Sequence, residues 1–241
     1  MFVLELLFLT INMGKDILGF QMNVEGDKRD IYHIVEGRKT LVDKLRVINI
    51  WEPIPIVLPK ASHVILTGST LTIGEPMSEE LKSRSDEAVN NVLKLMKKDI
   101  PTLGICYGAQ IIADKLWPNS VQHTGQWNVG RTKFIPTKSC SIFGDRLEEM
   151  AITVSYKAKL IEIPTDNIIA KDKDGGILAF KFGSFVGILG HPEIPLEIIK
   201  SVIDQRNGDP RYSNINVLTL TTEEELTLPS SERLIQNFLQ S

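Results

Sequence analysis

The chain has 241 residues, of which 42% are hydrophobic and 24% charged, and its formal net charge is −3. This length and composition are typical of a globular, enzyme-sized chain with a large buried core. The balance of 27 Lys and Arg against 30 Asp and Glu excludes a global basic field of the kind that binds nucleic acid or anionic membranes. Two cysteines, Cys106 and Cys140, exclude a disulfide framework, argue against a cysteine-rich zinc site and leave a single bridge open.

Residues 1–11 are nearly all apolar but lack the features of a targeting segment. No positive charge precedes them, Glu5 interrupts them and no cleavage site follows. They are also shorter than the roughly 20 residues that a membrane span needs. We therefore predict a buried first strand of a parallel sheet, and a cytoplasmic location. Residues 14–60 are weakly patterned, and their prolines predict a stiff connector.

The middle of the chain alternates strands and helices. We predict a strand over 63–66, a helix that begins after Ser78, a strand over 102–105 and a helix over 108–117. Ser78 is a suitable N-cap because acidic residues follow it, and Pro101 prevents the first helix from continuing. Strand, turn and helix in this order are the repeating unit of a doubly wound sheet.

The second half contains short apolar runs joined by tight turns. We predict strands over 129–136, 151–155, 168–171, 177–182 and 185–189, a helix from Pro195 and a last helix from Ser230 or Ser231. The sequence Asp174-Gly175-Gly176 is typical of a hairpin turn, which indicates antiparallel pairing. The predicted fold is α/β: a doubly wound, mostly parallel central sheet with helices on both faces and an antiparallel extension. Residues 1–241 are expected to form a single domain.

The first candidate for chemistry is the segment Gly104-Ile105-Cys106-Tyr107-Gly108. A nucleophile on a sharp strand-to-helix turn needs small neighbours because the backbone is tight there. The following helix directs its N-terminal N–H groups toward the sulfur, which stabilises a thiolate, and the Tyr107 N–H would face an oxyanion. The alternative is a buried cysteine acting as a small hydrophobe. The two flanking glycines favour the nucleophile.

The second candidate is His191-Pro192-Glu193, directly after the last predicted strand. A histidine at the carboxyl end of a strand lies on the edge where open α/β sheets bind ligands. Glu193 would fix the imidazole tautomer, and a thiolate needs such a base. The alternative is a solvated surface pair. The other histidines, at 33, 63 and 123, lack a comparable setting.

Together these segments resemble class I, triad-type glutamine amidotransferases. Residues 104–110 resemble the family's nucleophile elbow, and His191-Pro192-Glu193, 85 residues after Cys106, resembles its His-Pro-Glu segment. Residues 64–69 are similar to its strand and glycine loop, and residues 234–239 to its last helix. The resemblance spans roughly residues 61–240 and implies a flavodoxin-like α/β fold.

The resemblance also implies a mechanism. Cys106 would attack the side-chain amide of glutamine or of a γ-glutamyl group, forming a γ-glutamyl thioester that water hydrolyses. The N–H groups of Gly68 or Ser69 and of Tyr107 would stabilise the oxyanion, and His191, oriented by Glu193, would transfer protons. By analogy, Gln110 would help to hold the substrate. No metal and no organic cofactor is expected.

Three positions depart from the family pattern. Tyr156 follows Ser155 where many members have a Ser-His pair, Leu189 stands where many have Gln, and Ala109 replaces a bulkier residue. The pocket wall that recognises the glutamine backbone is therefore expected to differ, with Tyr156 as a candidate substrate-binding residue. These departures bear on the substrate more than on the amide chemistry.

Three functions follow. We favour an autonomous cysteine amidohydrolase acting on a small-molecule glutamine or γ-glutamyl substrate, because only 50 residues follow His191 and a fused synthetase would need more. The alternatives are the ammonia-supplying glutaminase subunit of a two-protein amidotransferase with a synthase partner, and a catalytically weak regulatory or binding module. No nucleic-acid or membrane partner is expected.

Overall fold

The computed structural model describes residues 16–22, 45–50, 52–194, 203–204, 214–218 and 232–241. The predicted strand over 1–11 lies outside the described residues, as does the predicted helix from Pro195 except for Ile203 and Asp204, which are helical. Within the described ranges, no helix is long and apolar enough to cross a membrane. The same ranges contain no group of three or more His, Cys, Asp or Glu side chains placed to hold a metal ion.

The described elements are ten strands and three helices. The strands are β1 (Ile17–Gln21), β2 (Leu45–Asn49), β3 (His63–Leu66), β4 (Thr102–Ile105), β5 (Val121–Pro136), β6 (Met150–Leu160), β7 (Ile168–Asp172), β8 (Ile177–Phe182), β9 (Phe185–Ile188) and β10 (Ile215–Leu218). The helices are α1 (Glu79–Met96), α2 (Tyr107–Leu116) and α3 (Glu232–Gln240). All ten strands belong to one sheet.

One half of this sheet is parallel and carries the edge on which the candidate residues lie. Its strands follow the order β2-β1-β3-β4-β9, and each neighbouring pair is parallel. Every residue of β3, β4 and β9 is buried, as expected for strands covered on both faces. Since the carboxyl ends of parallel strands meet at one edge, the segments that follow β3, β4 and β9 come together there.

The other half is antiparallel. Strands β5, β6, β8 and β7 pair in a closed circuit, β8 continues the sheet to β9, and β10 lies parallel to β5 at the far edge. Of the ten pairings between described strands, five are parallel and five antiparallel, so the sheet contains the expected antiparallel part but is not mostly parallel. The cause is the short turns of the second half, because a tight turn can join only antiparallel neighbours.

Most of the predicted elements are confirmed. Strands β3, β4 and β8 have the predicted bounds, and α2 begins and ends one residue earlier than predicted. The Ser78 side chain accepts a hydrogen bond from the Leu81 N–H, which confirms the cap of α1. The predicted inward residues of α3 are all buried: Leu234, Ile235, Phe238 and Leu239.

Strands β1 and β2 were not predicted, because they lie in the weakly patterned residues 14–60. Each has only five residues. In β2, Arg46 and Val47 are both exposed, so the strand shows no alternation of apolar and polar residues. Strand β5 is also longer than predicted, because it begins at Val121 and has a register break between His123 and Asn128.

Candidate active site

Cys106 occupies a strained turn between β4 and α2. Its φ of 47° and ψ of −106° lie outside the regions that L-residues normally adopt. The Cys106 N–H donates to the Ile188 carbonyl at 2.8 Å, and the Cys106 carbonyl accepts from the Gln110 N–H at 2.9 Å. The strained residue is therefore held by β9 on one side and by the first turn of α2 on the other. Strain of this kind persists only where the surroundings over-determine it, which is typical of functional sites.

The two glycines of the elbow are required by close packing. A Cβ on Gly104 would lie 2.6 Å from Phe185 Cζ and 2.9 Å from the Gly108 carbonyl group. A Cβ on Gly108 would lie 2.6 Å from the Leu66 carbonyl oxygen. Because backbone atoms cannot yield as a flexible side chain can, neither position accepts a larger residue without shifting the elbow. The structure thus gives a physical reason for the spacing Gly-x-Cys-x-Gly.

His191 and Glu193 form a buried pair directly after β9. The His191 Nδ1 atom lies 2.6 Å from Glu193 Oε1, and the two residues are 4% and 7% exposed. The His191 N–H donates to the Thr153 carbonyl of β6 at 2.7 Å, and the His191 carbonyl accepts from the Ile194 N–H at 3.2 Å. Because both residues are buried, the alternative of a solvated surface pair is excluded. The contact with Glu193 fixes the orientation of the His191 imidazole and leaves Nε2 as the atom available for proton transfer.

Cys106 and His191 also interact directly. Burial by itself lowers the pKa of His191, but the charges of Glu193 and Cys106 and the hydrogen bonds to both side chains raise the pKa well above its usual 6.5. The raised pKa favours an imidazolium next to the sulfur. This is the partner that a thiolate nucleophile requires.

Gly68 completes this cluster from the loop after β3. A Cβ on Gly68 would lie 2.9 Å from His191 Cε1 and 3.5 Å from Cys106 Cβ. The preceding residue, Thr67, accepts a hydrogen bond from the Gly108 N–H at 3.1 Å, which ties the loop to α2. Within the described part of the chain, the N–H groups of Gly68 and Tyr107 donate no hydrogen bond. Both N–H groups are thus open to an acceptor such as an oxyanion.

Ser155 is a neighbour of the sulfur that the sequence did not single out as a site residue. Its carbonyl oxygen lies 3.7 Å from Cys106 Sγ and accepts the thiol hydrogen bond. The adjacent Tyr156 is 9% exposed, and burial, followed by the negative charges of Asp172 and Cys106, raises the pKa of its phenol. The sequence signal that points to Ser155 is its place before Tyr156, in the pair that departs from the family pattern.

The remaining candidates are placed as follows. Gln110 is 2% exposed, and its side-chain Oε1 accepts no hydrogen bond from the described residues. Ser69 is partly buried, and its hydroxyl oxygen accepts from the Leu71 N–H at 3.1 Å. His123 contacts the Ile73 carbonyl, and His63 packs edge-on against Phe238. His33 lies outside the described residues.

The two cysteines are both buried free thiols. Cys140 precedes a short 3-10 turn, Ser141–Phe143, and its carbonyl accepts hydrogen bonds from the backbone N–H groups of Phe143 and Asp145. The backbone of Cys140 is extended, with φ of −151°. Cys106 and Cys140 therefore differ in both backbone strain and chemical surroundings.

Comparison with known proteins gives the family of the chain. A family model described as glutamine amidotransferase class-I matches residues 39–202. GMP synthase [glutamine-hydrolyzing] from Streptococcus mutans is 27% identical over 169 residues, 68% of this chain but 29% of that protein. The chain thus spans less than a third of the length of the curated relatives it matches.

Solved structures share the fold. A glutamine amidotransferase from Thermotoga maritima has a TM-score of 0.63 at 19% identity, covering 94% of this chain and 99% of that one. A glutamine amido transferase from Methylobacillus flagellatus has a TM-score of 0.63 at 13% identity, with coverages of 94% and 92%. At these low sequence identities, the similarity shows a shared fold and nothing further.

Proposed function

The chain belongs to the class I glutamine amidotransferase family, and from this premise we propose that it hydrolyses the side-chain amide of glutamine, or a γ-glutamyl amide bond, through a thioester on Cys106. The observation that carries the proposal is the buried His191–Glu193 pair next to a strained cysteine. A structural cysteine needs neither the strained backbone nor an imidazolium partner. Backbone strain of this kind is typical of functional sites, and a cysteine that attacks an unactivated amide needs an adjacent base.

The proposed reaction has two half-reactions. The Cys106 thiolate attacks the amide carbonyl carbon, and the N–H groups of Tyr107 and of Gly68 or Ser69 donate to the oxyanion. The C–N bond then breaks while protonated His191 gives its proton to the leaving ammonia. Water loses a proton to His191, attacks the thioester and releases the γ-carboxylate, which regenerates the Cys106 thiolate. This chemistry requires no metal and no organic cofactor.

We assign substrate binding to Gln110 and Tyr156. The unpartnered Gln110 Oε1 supports this assignment, because a buried polar atom without a partner is costly unless a ligand satisfies it. Tyr156 lies close enough for the charge of Cys106 to raise its pKa. An aromatic wall next to the sulfur would define which γ-glutamyl compound fits.

A second candidate function is the ammonia-supplying subunit of a two-protein amidotransferase. It is favoured by the similarity to GMP synthases, which are named as glutamine-hydrolysing enzymes. In that case a synthase partner would consume the ammonia, and hydrolysis by the chain alone would be slow. We further propose a single domain over residues 1–241 and a cytoplasmic location, where a reactive free thiol stays reduced.

The test is covalent labelling with a glutamine-like chloroketone, followed by mapping of the adduct by mass spectrometry. We expect one adduct on Cys106, its loss in Cys106→Ser, and a strong decrease in His191→Ala. Cys140→Ser is the matched control because it removes the other buried thiol, and its labelling should be unchanged. Absence of labelling, under conditions in which a known amidotransferase reacts, would favour a binding module.

Ammonia release then separates the two enzymatic functions. Cys106-dependent release from glutamine or a γ-glutamyl peptide by the purified chain supports the autonomous hydrolase. Release that appears only after addition of a co-purifying synthase supports the subunit.

A further inference from the structure

The loop that follows Gly68, residues 69–75, is a compact turn that ends at a carboxylate. The Thr72 N–H donates to Glu75 Oε2 at 2.9 Å, and the Glu75 N–H donates back to the Thr72 carbonyl at 3.0 Å. At the start of the loop, the Leu71 N–H donates to Ser69 Oγ at 3.1 Å. These contacts form two consecutive short turns, over residues 69–71 and 72–75, that are joined directly by the chain, so we expect a displacement of Glu75 to reach Ser69 through the backbone.

Strands β5 and β6 hold this loop from the opposite side of the site. Lys157 Nζ forms an ion pair with Glu75 Oε1, although 82 residues separate the two in the chain. His123 Nε2 contacts the Ile73 carbonyl at 2.5 Å. The Lys157 and Glu75 side chains are only 22% and 26% exposed, so solvent screens their attraction less than it would on an open surface.

Lys157 is itself held in place before it reaches Glu75. Its ammonium lies 5.3 Å from the centroid of the Trp127 ring, and Trp127 is 6% exposed. The Lys157 carbonyl accepts a hydrogen bond from Thr124 Oγ1 at 2.9 Å. Thr124 lies within the register break of β5, between His123 and Asn128. The Lys157 backbone is therefore held by Thr124, and its ammonium contacts both Trp127 and Glu75.

The same strand also contacts the nucleophile. Ser155, two residues before Lys157, places its carbonyl oxygen 3.7 Å from Cys106 Sγ. At the other end of the loop, Gly68 packs against both Cys106 and His191. Strand β6 therefore contacts both the sulfur and the end of the loop whose start carries the candidate oxyanion donors.

We infer that the Glu75–Lys157 ion pair positions the 69–75 loop, and with it the Gly68 and Ser69 N–H groups, relative to Cys106. This inference rests on the proposed function, because the donors matter only if a carbonyl is attacked. Glu75 and Lys157 are positioning residues, which act on the rate of attack rather than on the affinity for substrate. The physical reason is that oxyanion donors contribute mainly in the transition state, when charge develops on the oxygen.

The experiment uses the full chain with Glu75→Gln and Lys157→Met. Gln keeps an oxygen that can accept from the Thr72 N–H, and Met keeps an apolar stem over Trp127, so each variant removes mainly the charge pairing. Lys157→Arg is the conservative variant, because it keeps the positive charge that pairs with Glu75 and lies over Trp127. Glu149→Gln is the matched control, because Glu149 pairs with Lys133 of β5 at 3.2 Å with similar exposure.

Three readouts distinguish positioning from a general structural role. We expect kcat for glutamine hydrolysis to fall about 10- to 100-fold in each single variant, as for a small misplacement of catalytic groups, with KM nearly unchanged. Alkylation of Cys106 by iodoacetamide should keep its rate, because that displacement develops no oxyanion. Amide hydrogen exchange over residues 68–75 should become faster. Lys157→Arg should keep most of the wild-type kcat, and Glu149→Gln should change nothing.

Other results would overturn the inference. Unchanged kcat in both single variants, a rise in KM alone, or a parallel loss of alkylation would each mean that the ion pair does not position the donors. If the wild type shows no Cys106-dependent hydrolysis, the proposed function fails. Hydrogen exchange still tests whether the ion pair positions the loop. Faster exchange over residues 68–75 in Glu75→Gln would support positioning, and unchanged exchange would contradict it.

Discussion

The elbow around the candidate nucleophile, in the parallel half of the sheet, is more tightly packed than two turns of the antiparallel half. In the parallel half, an added Cβ would lie 2.6 Å from a neighbour at Gly104 and at Gly108, next to the candidate nucleophile. In the turns of the antiparallel half, Gly125 and Gly175 have no atom within 4 Å of the same position. The glycines of the segment that resembles the family's nucleophile elbow therefore lie where the packing leaves no space for a larger residue.

The departures from the family pattern lie in both halves: Ala109 is on α2 and Leu189 follows β9, whereas Tyr156 is on β6. Tyr156 belongs to the antiparallel half, on the strand that contacts the sulfur through Ser155. Under the proposed function, the parallel edge would supply the reacting groups, whereas β6 would supply recognition and positioning. The predictions below test this division, beginning with the change that we expect to be largest.

Glu193→Gln tests the parallel edge most directly. The amide keeps the shape but cannot stabilise an imidazolium or hold its tautomer equally well, so we expect kcat to fall by about 10³-fold. The measurement is steady-state ammonia release with glutamine. The exposed Glu87 on α1 provides a matched control, and Glu87→Gln should retain full kcat. A Glu193→Gln enzyme close to wild-type rate would remove Glu193 from the mechanism.

Gly104→Ala and Gly175→Ala compare the packing of the two halves. The methyl group at 104 would meet Phe185 and the Gly108 backbone, so we expect the free energy of unfolding to fall by about 3 kcal/mol or more. Gly175 has φ of 84° with open space around it, so Gly175→Ala should cost only the left-handed backbone strain of about 1–2 kcal/mol. Urea unfolding measures both. Equal losses would contradict the difference in packing.

The raised pKa of His191 predicts a pH-dependent contribution to stability. Protonation of this imidazole is favoured in the folded state, so its contribution is complete below the unfolded pKa near 6.5 and is lost as pH rises through the raised folded pKa. Glu193→Gln removes one of the causes of the shift. We therefore expect the stability difference between wild type and Glu193→Gln to shrink as pH increases above 6.5. A stability difference that grows with pH would mean that Glu193 does not raise the pKa of His191 in the folded state.

Tyr156→Phe tests the antiparallel half with the smallest change. Removal of the hydroxyl should raise KM for the natural γ-glutamyl substrate about threefold and leave kcat within about twofold, as expected for a lost uniform binding contact. Kinetics with glutamine and with γ-glutamyl peptides will show which substrate is affected. A large decrease in kcat with unchanged KM would instead place Tyr156 among the reacting groups.

Much of the fold could be predicted because its signals are local. The bounds of β3, β4 and β8, the cap at Ser78 and the inward face of α3 all follow from patterns within a short window. Strands β1 and β2 could not be predicted, since five residues without alternation carry too little periodicity. The closed circuit of β5, β6, β8 and β7 depends on pairings between distant segments.

The sequence by itself determined the candidate nucleophile, its histidine and its carboxylate, because each belongs to a short motif whose neighbours restrict the backbone. Only the tertiary structure decided that Ser155 contacts the sulfur and that Lys157 reaches Glu75 across 82 residues. The physical reason is that a motif is specified by adjacent residues, whereas an ion pair between separate elements depends on how the whole sheet brings them together. The overall charge of the chain, 27 basic against 30 acidic residues, does not indicate the partly buried ion pair between Glu75 and Lys157.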